Sequence, residues 1–335
     1  MTFPINFLFF FFPLILGIIL SISSSSWFGA WVGLELNMMS FIPIISMKMN
    51  SYLSESALKY FLIQALASTL IIMSSSLFLT FPTLSSMIIL LSLLLKLGAS
   101  PFHFWFPQVM EGLTWPQALV LMSIQKLAPM FLISYLTFSP LNLQLILTSA
   151  IMSAVMGALG GLNLMKLRKI LAFSSINHMS WLLIAITIND YMWMMYFIFY
   201  VMISSSIVVL FYIMQAFTIT QLLNSNFNSP IWKLTIPLNF LSLGGLPPFT
   251  GFLPKWIMIQ TMVMNHMFIL LFLLLFTSLI TLYFYLRLTI PFFLLLNTNL
   301  TFNMKYSPHS SSFSMPLFSF LNFSGLLLPL PFLFV

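Results

Sequence analysis

Leu93-Leu94-Leu95-Lys96-Leu97-Gly98-Ala99-Ser100-Pro101-Phe102-His103-Phe104-Trp105-Phe106-Pro107 is an apolar helix that acquires a lysine and then stops being helical. An ionisable group in such a run costs about 2.5–3.5 kcal/mol on insertion scales, so a specific reason is needed to keep it there. Gly98 and Pro101 follow within five residues. Proline removes an intrahelical donor and glycine tolerates the odd dihedrals that result, so the helix is expected to break. A later run repeats the design: Leu243-Gly244-Gly245-Leu246-Pro247-Pro248-Phe249-Thr250-Gly251-Phe252-Leu253-Pro254-Lys255. Broken backbone at membrane depth survives only where protein buries it or where it lines a hydrated cavity.

Working outward, the rest of the 335 residues is the solvent for these breaks. Charged residues make up 4% of the chain and hydrophobic residues 61%, against about 25% charged in an ordinary soluble domain. The protein therefore belongs in a bilayer, where backbone groups must be satisfied internally by helices or a closed barrel. Barrel strands are about 10 residues of alternating polarity. Apolar runs of about 20 residues recur here instead, the length of a spanning helix. The fold class is all-α, a polytopic membrane helix bundle forming a single transmembrane domain over 1–335.

Eleven spans are predicted, near 4–22, 26–46, 57–80, 83–106, 115–136, 140–162, 169–188, 190–218, 232–262, 265–290 and 315–335. Short polar links join them, and Glu111 and Asp190 read as solvated link residues. With the N-terminus on one side, eight of the eleven basic residues fall at links on that same side: Lys48, Lys59, Lys166, Arg168, Lys169, Lys233, Arg287 and Lys305. The positive-inside rule puts that side, and the N-terminus, in the cytoplasm or mitochondrial matrix, with the C-terminus opposite. The net charge of +7 is thus an orientation signal and gives no reason to invoke nucleic acid. The first twenty residues have no basic region or small-residue cleavage site and read as a spanning helix. A chain this hydrophobic without an import sequence is expected to be bacterial or made in the organelle that uses it.

The other three basic residues, Lys96, Lys126 and Lys255, lie inside spans, as does Glu35. The broken spans are the fourth of spans 1 to 5 and the fourth of spans 6 to 10. This predicts two inverted five-helix repeats, about 4–136 and 140–290, followed by a C-terminal helix at 315–335. Gly/Pro-interrupted helices at matching places in inverted repeats point to a transport pathway. In that register Glu35 corresponds to His178, a possible relay group, although a lone helical histidine is often a hydrogen-bonded core residue. Three of the four charges inside spans also have a structural reading: Lys96 could snorkel, Lys255 could cap a half-helix and Glu35 could hold two helices together through an ion pair, whereas Lys126 is too far from either end of its span to snorkel easily. His103 and Trp105 are expected to anchor the half-helix near the interface. Cysteine is absent, which removes disulfides and cysteine-ligated clusters, and no redox centre or metal site is expected on this chain.

Five runs carry a resemblance. They are Trp27 to Asn37 around Glu35, Leu95 to Trp105, Gln125 to Pro129, Arg168 to Trp181 around His178, and Leu243 to Trp256. Together, in order, they resemble the antiporter-like membrane subunits of respiratory complex I. Bacterial relatives in that family have fourteen helices, and eleven here resembles the animal form that lacks the first three. The resemblance implies that Glu35 matches the family's membrane glutamate, Lys96 and Lys255 the lysines of the two broken helices, and Lys126 the connecting lysine. It further implies proton translocation driven by NADH-to-ubiquinone electron transfer, with NADH, FMN, iron–sulfur clusters and ubiquinone held by other subunits. The implied setting is the mitochondrial inner membrane, with phospholipids, a neighbouring antiporter-like chain 4 and the small chain 4L as partners. A stand-alone cation/proton antiporter and a non-pumping structural subunit remain alternatives at this point.

Overall fold

A computed structural model describes residues 5–47, 50–224 and 230–295. The sequence resolves into helices in this order: α1 (Ile5–Ser23), α2 (Trp27–Ser46), α3 (Ser51–Ser76, extended by a 3₁₀ turn), α4 (Pro82–Leu97), α5 (Trp105–Gly112), α6 (Trp115–Met122), α7 (Ile124–Ser134). The second half follows as α8 (Pro140–Gly160), α9 (Leu167–Ile188), α10 (Asp190–Met214), α11 (Ile219–Asn224), α12 (Pro230–Gly244), α13 (Phe252–Met264) and α14 (Phe268–Leu295). No strand occurs among the described residues, only an isolated bridge between Lys166 and Thr218. The expected span at 315–335 lies outside the described residues.

Among the described residues seven helical segments are long and apolar enough to cross a membrane, one of them α6 and α7 taken together. The halves of the broken helices are not: α4 has 16 residues and α12 has 15, about 24 Å and 22 Å of helix against a core of about 30 Å. Each needs its second half to complete a crossing. Both interruptions stand where Gly and Pro cluster, at residues 98–104 and 245–251.

One start and one interior bend bear most on the site. α3 starts at Ser51 and not near 57, because Glu55 and Lys59 fall at i and i+4 and pair at 2.6 Å, which carries helix through a stretch read as a link. The expected span at 115–136 is two helices that meet at Ser123 (φ −112°, ψ −78°). Pro129 has no N–H for the carbonyl four residues earlier, that of Gln125, so the ladder is weakened beside the bend.

α9 is the axis of the bundle. Every residue from Ser174 to Ile186 is buried, so this helix is surrounded by protein on all sides. α8 reaches it through Gly157, where an added Cβ would lie 2.6 Å from the backbone nitrogen of Asn177. α1 and α2 approach in the same manner through Gly17 and Gly33, whose added Cβ atoms would each lie within 2.7 Å of the other's carbonyl oxygen. Small residues of this kind let membrane helices pack backbone to backbone. Side chains such as Phe272, Phe276 and Leu279 of α14 point outward and stay exposed, as hydrocarbon-facing residues should.

Candidate functional site

Three elements end or bend beside an amine. α4 ends at Leu97, and Gly98 takes the left-handed conformation (φ 69°) that closes a helix C-terminus. The carbonyls freed at this end are nevertheless satisfied. Ala99 N–H donates to Leu94 at 3.1 Å, the Trp105 indole N–H donates to Leu95 at 3.1 Å, and the Gln64 amide donates to Lys96 at 3.3 Å. Lys96 therefore stands in the last turn of a half-helix, where the partial negative charge of the helix end favours a cation.

At the second break, Gly245 is again left-handed (φ 75°), and the Lys255 Nζ donates to the carbonyl of Gly244 at 2.8 Å. A side chain at residue 245 would collide with the lysine stem, since an added Cβ lies 2.7 Å from Lys255 Cδ. Lys96 and Lys255 thus meet the same feature, the C-terminal end of a first half-helix, from opposite sides of a break. The capping role read from the sequence is what Lys255 performs.

Lys126 follows the bend at Ser123 and is 2% exposed. Its Nζ has no hydrogen-bond acceptor among the described residues. It lies instead over two rings, 5.1 Å from the centroid of Phe106 and 5.3 Å from that of Tyr200. Lys96 and Lys126 line one cavity with room for about one water molecule. On its wall, Tyr60 Oη donates to Gln125 Oε1 at 3.1 Å and Gln125 Nε2 donates to Asn37 Oδ1 at 2.9 Å, tying α3, α7 and α2 together.

His178, in the buried stretch of α9, has Nδ1 2.9 Å from Tyr196 Oη and its ring 5.2 Å from that of Tyr200. It lies within electrostatic range of both Lys126 and Lys255. Glu35 is only half-buried and makes no salt bridge among the described residues, although Lys96 and Tyr60 are within its electrostatic range. The structure thus brings Lys96 and Lys126 to one cavity, leaves His178 close enough to feel the charge of both Lys126 and Lys255, and keeps Glu35 half-buried with no salt bridge among the described residues.

His103 and Trp105 are more enclosed than the sequence indicates. They are 3% and 5% exposed and are held by protein, because α5 packs against α3 and α9 immediately after the break. Glu111 is likewise not a free link residue: it is half-buried and pairs with Lys166 and with Lys169, the latter at 2.7 Å. Tyr60, Gln125, Asn37, Tyr196 and Tyr200 were missed by sequence reasoning. Gln125 and Asn37 carried a signal, as amides inside apolar runs beside Lys126 and Glu35. The tyrosines carried none, being indistinguishable from packing aromatics. Cysteine is absent from the sequence, and among the described residues no three His, Asp or Glu side chains gather as a metal site.

Discontinuous helices whose ends meet buried amines inside a membrane bundle define a protein of the transporter type. Residues 80–281 match the family described as NADH:quinone oxidoreductase/Mrp antiporter, TM, and the chain belongs to that family. NADH-ubiquinone oxidoreductase chain 2 of Anopheles gambiae is 46% identical over 94% of this chain and 94% of its own length. The chain 2 protein of Bos taurus is 39% identical over 85% of each. A chain of respiratory complex I from Thermus thermophilus shares the fold with a TM-score of 0.85 at 24% identity, covering 98% of this chain and 80% of that one.

Proposed function

We propose that this chain is the chain 2 membrane subunit of NADH-ubiquinone oxidoreductase and moves protons through the row Lys96, Lys126, His178 and Lys255, with Glu35 modulating Lys96. The observation that carries the reading is the state of Lys126: a buried amine with no acceptor, sharing a cavity with Lys96 and lying within range of His178. A structural amine would be paired and hydrogen-bonded, since breaking a buried pair or leaving one charge bare is strongly destabilising. An amine that alternates between two neighbours has to be free of a fixed ion-pair partner.

In this reading a proton reaches Lys96 at the end of α4, crosses to Lys126 through a water-sized cavity, and passes to the His178 side and on to Lys255. Separation of Glu35 from Lys96 fits a modulating role, because an opposite charge nearby favours the ammonium and its withdrawal disfavours it. NADH, FMN, iron–sulfur clusters and ubiquinone are held by other subunits, whose redox energy arrives through neighbours such as chains 4 and 4L, with phospholipids around the bundle. The chain is a multi-pass protein of the mitochondrial inner membrane with the N-terminus in the matrix and the C-terminus in the intermembrane space. The two repeats, 4–136 and 140–290, each supply one broken helix, and the matched Gly-mediated pairs α1–α2 and α8–α9 support that division. Near-full-length relatives that are all NADH-ubiquinone oxidoreductase chains favour this over a stand-alone antiporter.

A water-resolving map of the assembled enzyme tests the reading. Ordered water joining Lys96 to Lys126 and continuing toward His178 and Lys255 is expected. Dry, close-packed hydrocarbon between Lys96 and Lys126 in every state captured would overturn it.

A further inference from the structure

We infer that Phe106 and Tyr200 form an aromatic clamp that positions the Lys126 amine and gates it between the Lys96 cavity and the His178 side. This rests on the relay reading above and adds to it two positioning residues and their mode of action.

Lys126 has nothing to hold it by hydrogen bonding among the described residues, yet an amine on a long flexible stem must be held if it is to serve two neighbours in turn. The holding groups are the two rings. Both centroids lie within about 6 Å of Nζ, the range of a cation–π contact, and such contacts strengthen when desolvated. Phe106 and Tyr200 are 2% and 4% exposed, so both contacts are shielded from bulk solvent. The rings come from different parts of the chain, Phe106 from α5 just after the first break and Tyr200 from the middle of α10.

Their other neighbours give the clamp its direction. Phe106 lines the cavity shared with Lys96, and the Tyr200 ring packs 5.2 Å from that of His178. The amine is therefore bracketed by one ring that belongs to its donor side and one that belongs to its acceptor side. To pass its proton onward, Lys126 must leave the faces of these rings, and while it rests on them the two sides are not joined. On this account the ring face matters and the phenol hydroxyl of Tyr200 does not, because a tyrosine proton wire would need the hydroxyl whereas a clamp needs only the π-system.

The test uses the assembled enzyme in proteoliposomes, with NADH oxidation, protons translocated per NADH, and passive proton leak without NADH measured on each variant. Tyr200→Phe keeps the ring and is expected to match the wild type in all three. Tyr200→Leu and Phe106→Leu are expected to retain NADH oxidation, lower the proton ratio and raise the leak, a split that a packing defect slowing the whole enzyme does not produce. A ratio lowered by Tyr200→Phe as much as by Tyr200→Leu would assign the role to the hydroxyl and overturn the clamp, as would an unchanged ratio and leak in both leucine variants. If neither leucine variant assembles, Tyr200→Met and Phe106→Met, which keep bulk without a ring face, are read in their place with the same expected and contrary results. Lys126→Ala in parallel separates the two levels: a lowered ratio there with unchanged leucine variants removes only the clamp, while an unchanged ratio there removes the relay itself.

Discussion

Lys255, on the second half of a broken helix, donates its Nζ hydrogen to the carbonyl of Gly244, the last residue of the first half, at 2.8 Å. One side chain thus closes the break and supplies the buried charge. Capping and proton handling are not rival readings of this lysine, because the end of the half-helix is the polar environment that makes a buried amine tolerable.

Lys255→Met keeps the stem and removes the donor. It is expected to leave the Gly244 carbonyl unsatisfied at a cost of about 1–3 kcal/mol and to lower the proton ratio at the same time. Thermal dissociation of the purified enzyme reads the first effect and proteoliposome pumping the second. Full pumping in a destabilised variant would reduce Lys255 to a cap.

Gly251 and Gly244 make a paired control on the same break. An added Cβ at residue 251 would lie 1.7 Å from the Ser242 carbonyl oxygen, which is backbone and has nowhere to go, whereas at residue 244 the nearest neighbour is 3.5 Å away. Gly251→Ala is expected to abolish assembly and Gly244→Ala to permit it, as read by the amount of intact complex on a native gel.

The amide bridge on the Lys96–Lys126 cavity predicts another asymmetry. Tyr60→Phe leaves Gln125 Oε1 without its donor, a loss of about 1–3 kcal/mol. Tyr60→Phe with Gln125→Leu removes both partners and is expected to cost less than the two single changes added together. A double-mutant cycle on thermal stability gives the coupling, and strict additivity would show that the bridge is not an interaction.

Outside the membrane spans, burial works to raise the Glu111 carboxyl, but hydrogen bonds and charges from Lys166 and Lys169 outweigh it and hold the group below the usual carboxylate range. A depressed folded-state value contributes stability above the unfolded value and loses it as pH falls through the folded one. Glu111→Gln is therefore expected to lower stability near neutral pH by about 0.2–1 kcal/mol, the scale of a partly exposed ion pair. The gap from the wild type should close as pH falls through and below the ordinary carboxylate range. A gap independent of pH would mean that the carboxylate charge contributes nothing.

The fold class was legible because composition puts the chain in a bilayer and its apolar runs have the length of spanning helices and not of barrel strands, and both breaks were legible because Gly and Pro have fixed backbone consequences. Lys96, Lys126 and Lys255 announced themselves as charges in apolar runs. The bend at Ser123 was hidden, since Pro129 sits several residues beyond it and serine is unremarkable in a membrane helix. Tyr196 and Tyr200 were hidden for another reason: a tyrosine shows whether it packs or holds a charged group only once its neighbours from distant helices are in place. Glu35 was legible as a carboxylate in an apolar run, but its partner was not: it is half-buried and makes no salt bridge among the described residues.

The central claim is that Lys126 carries a proton, and the most direct measurement is the number of protons translocated per NADH oxidised by assembled enzyme bearing Lys126→Ala. A ratio below that of the wild type, with complete assembly on a native gel, is the predicted result. An unchanged ratio in a fully assembled enzyme would contradict it and leave the buried amines as structural parts of a non-pumping subunit.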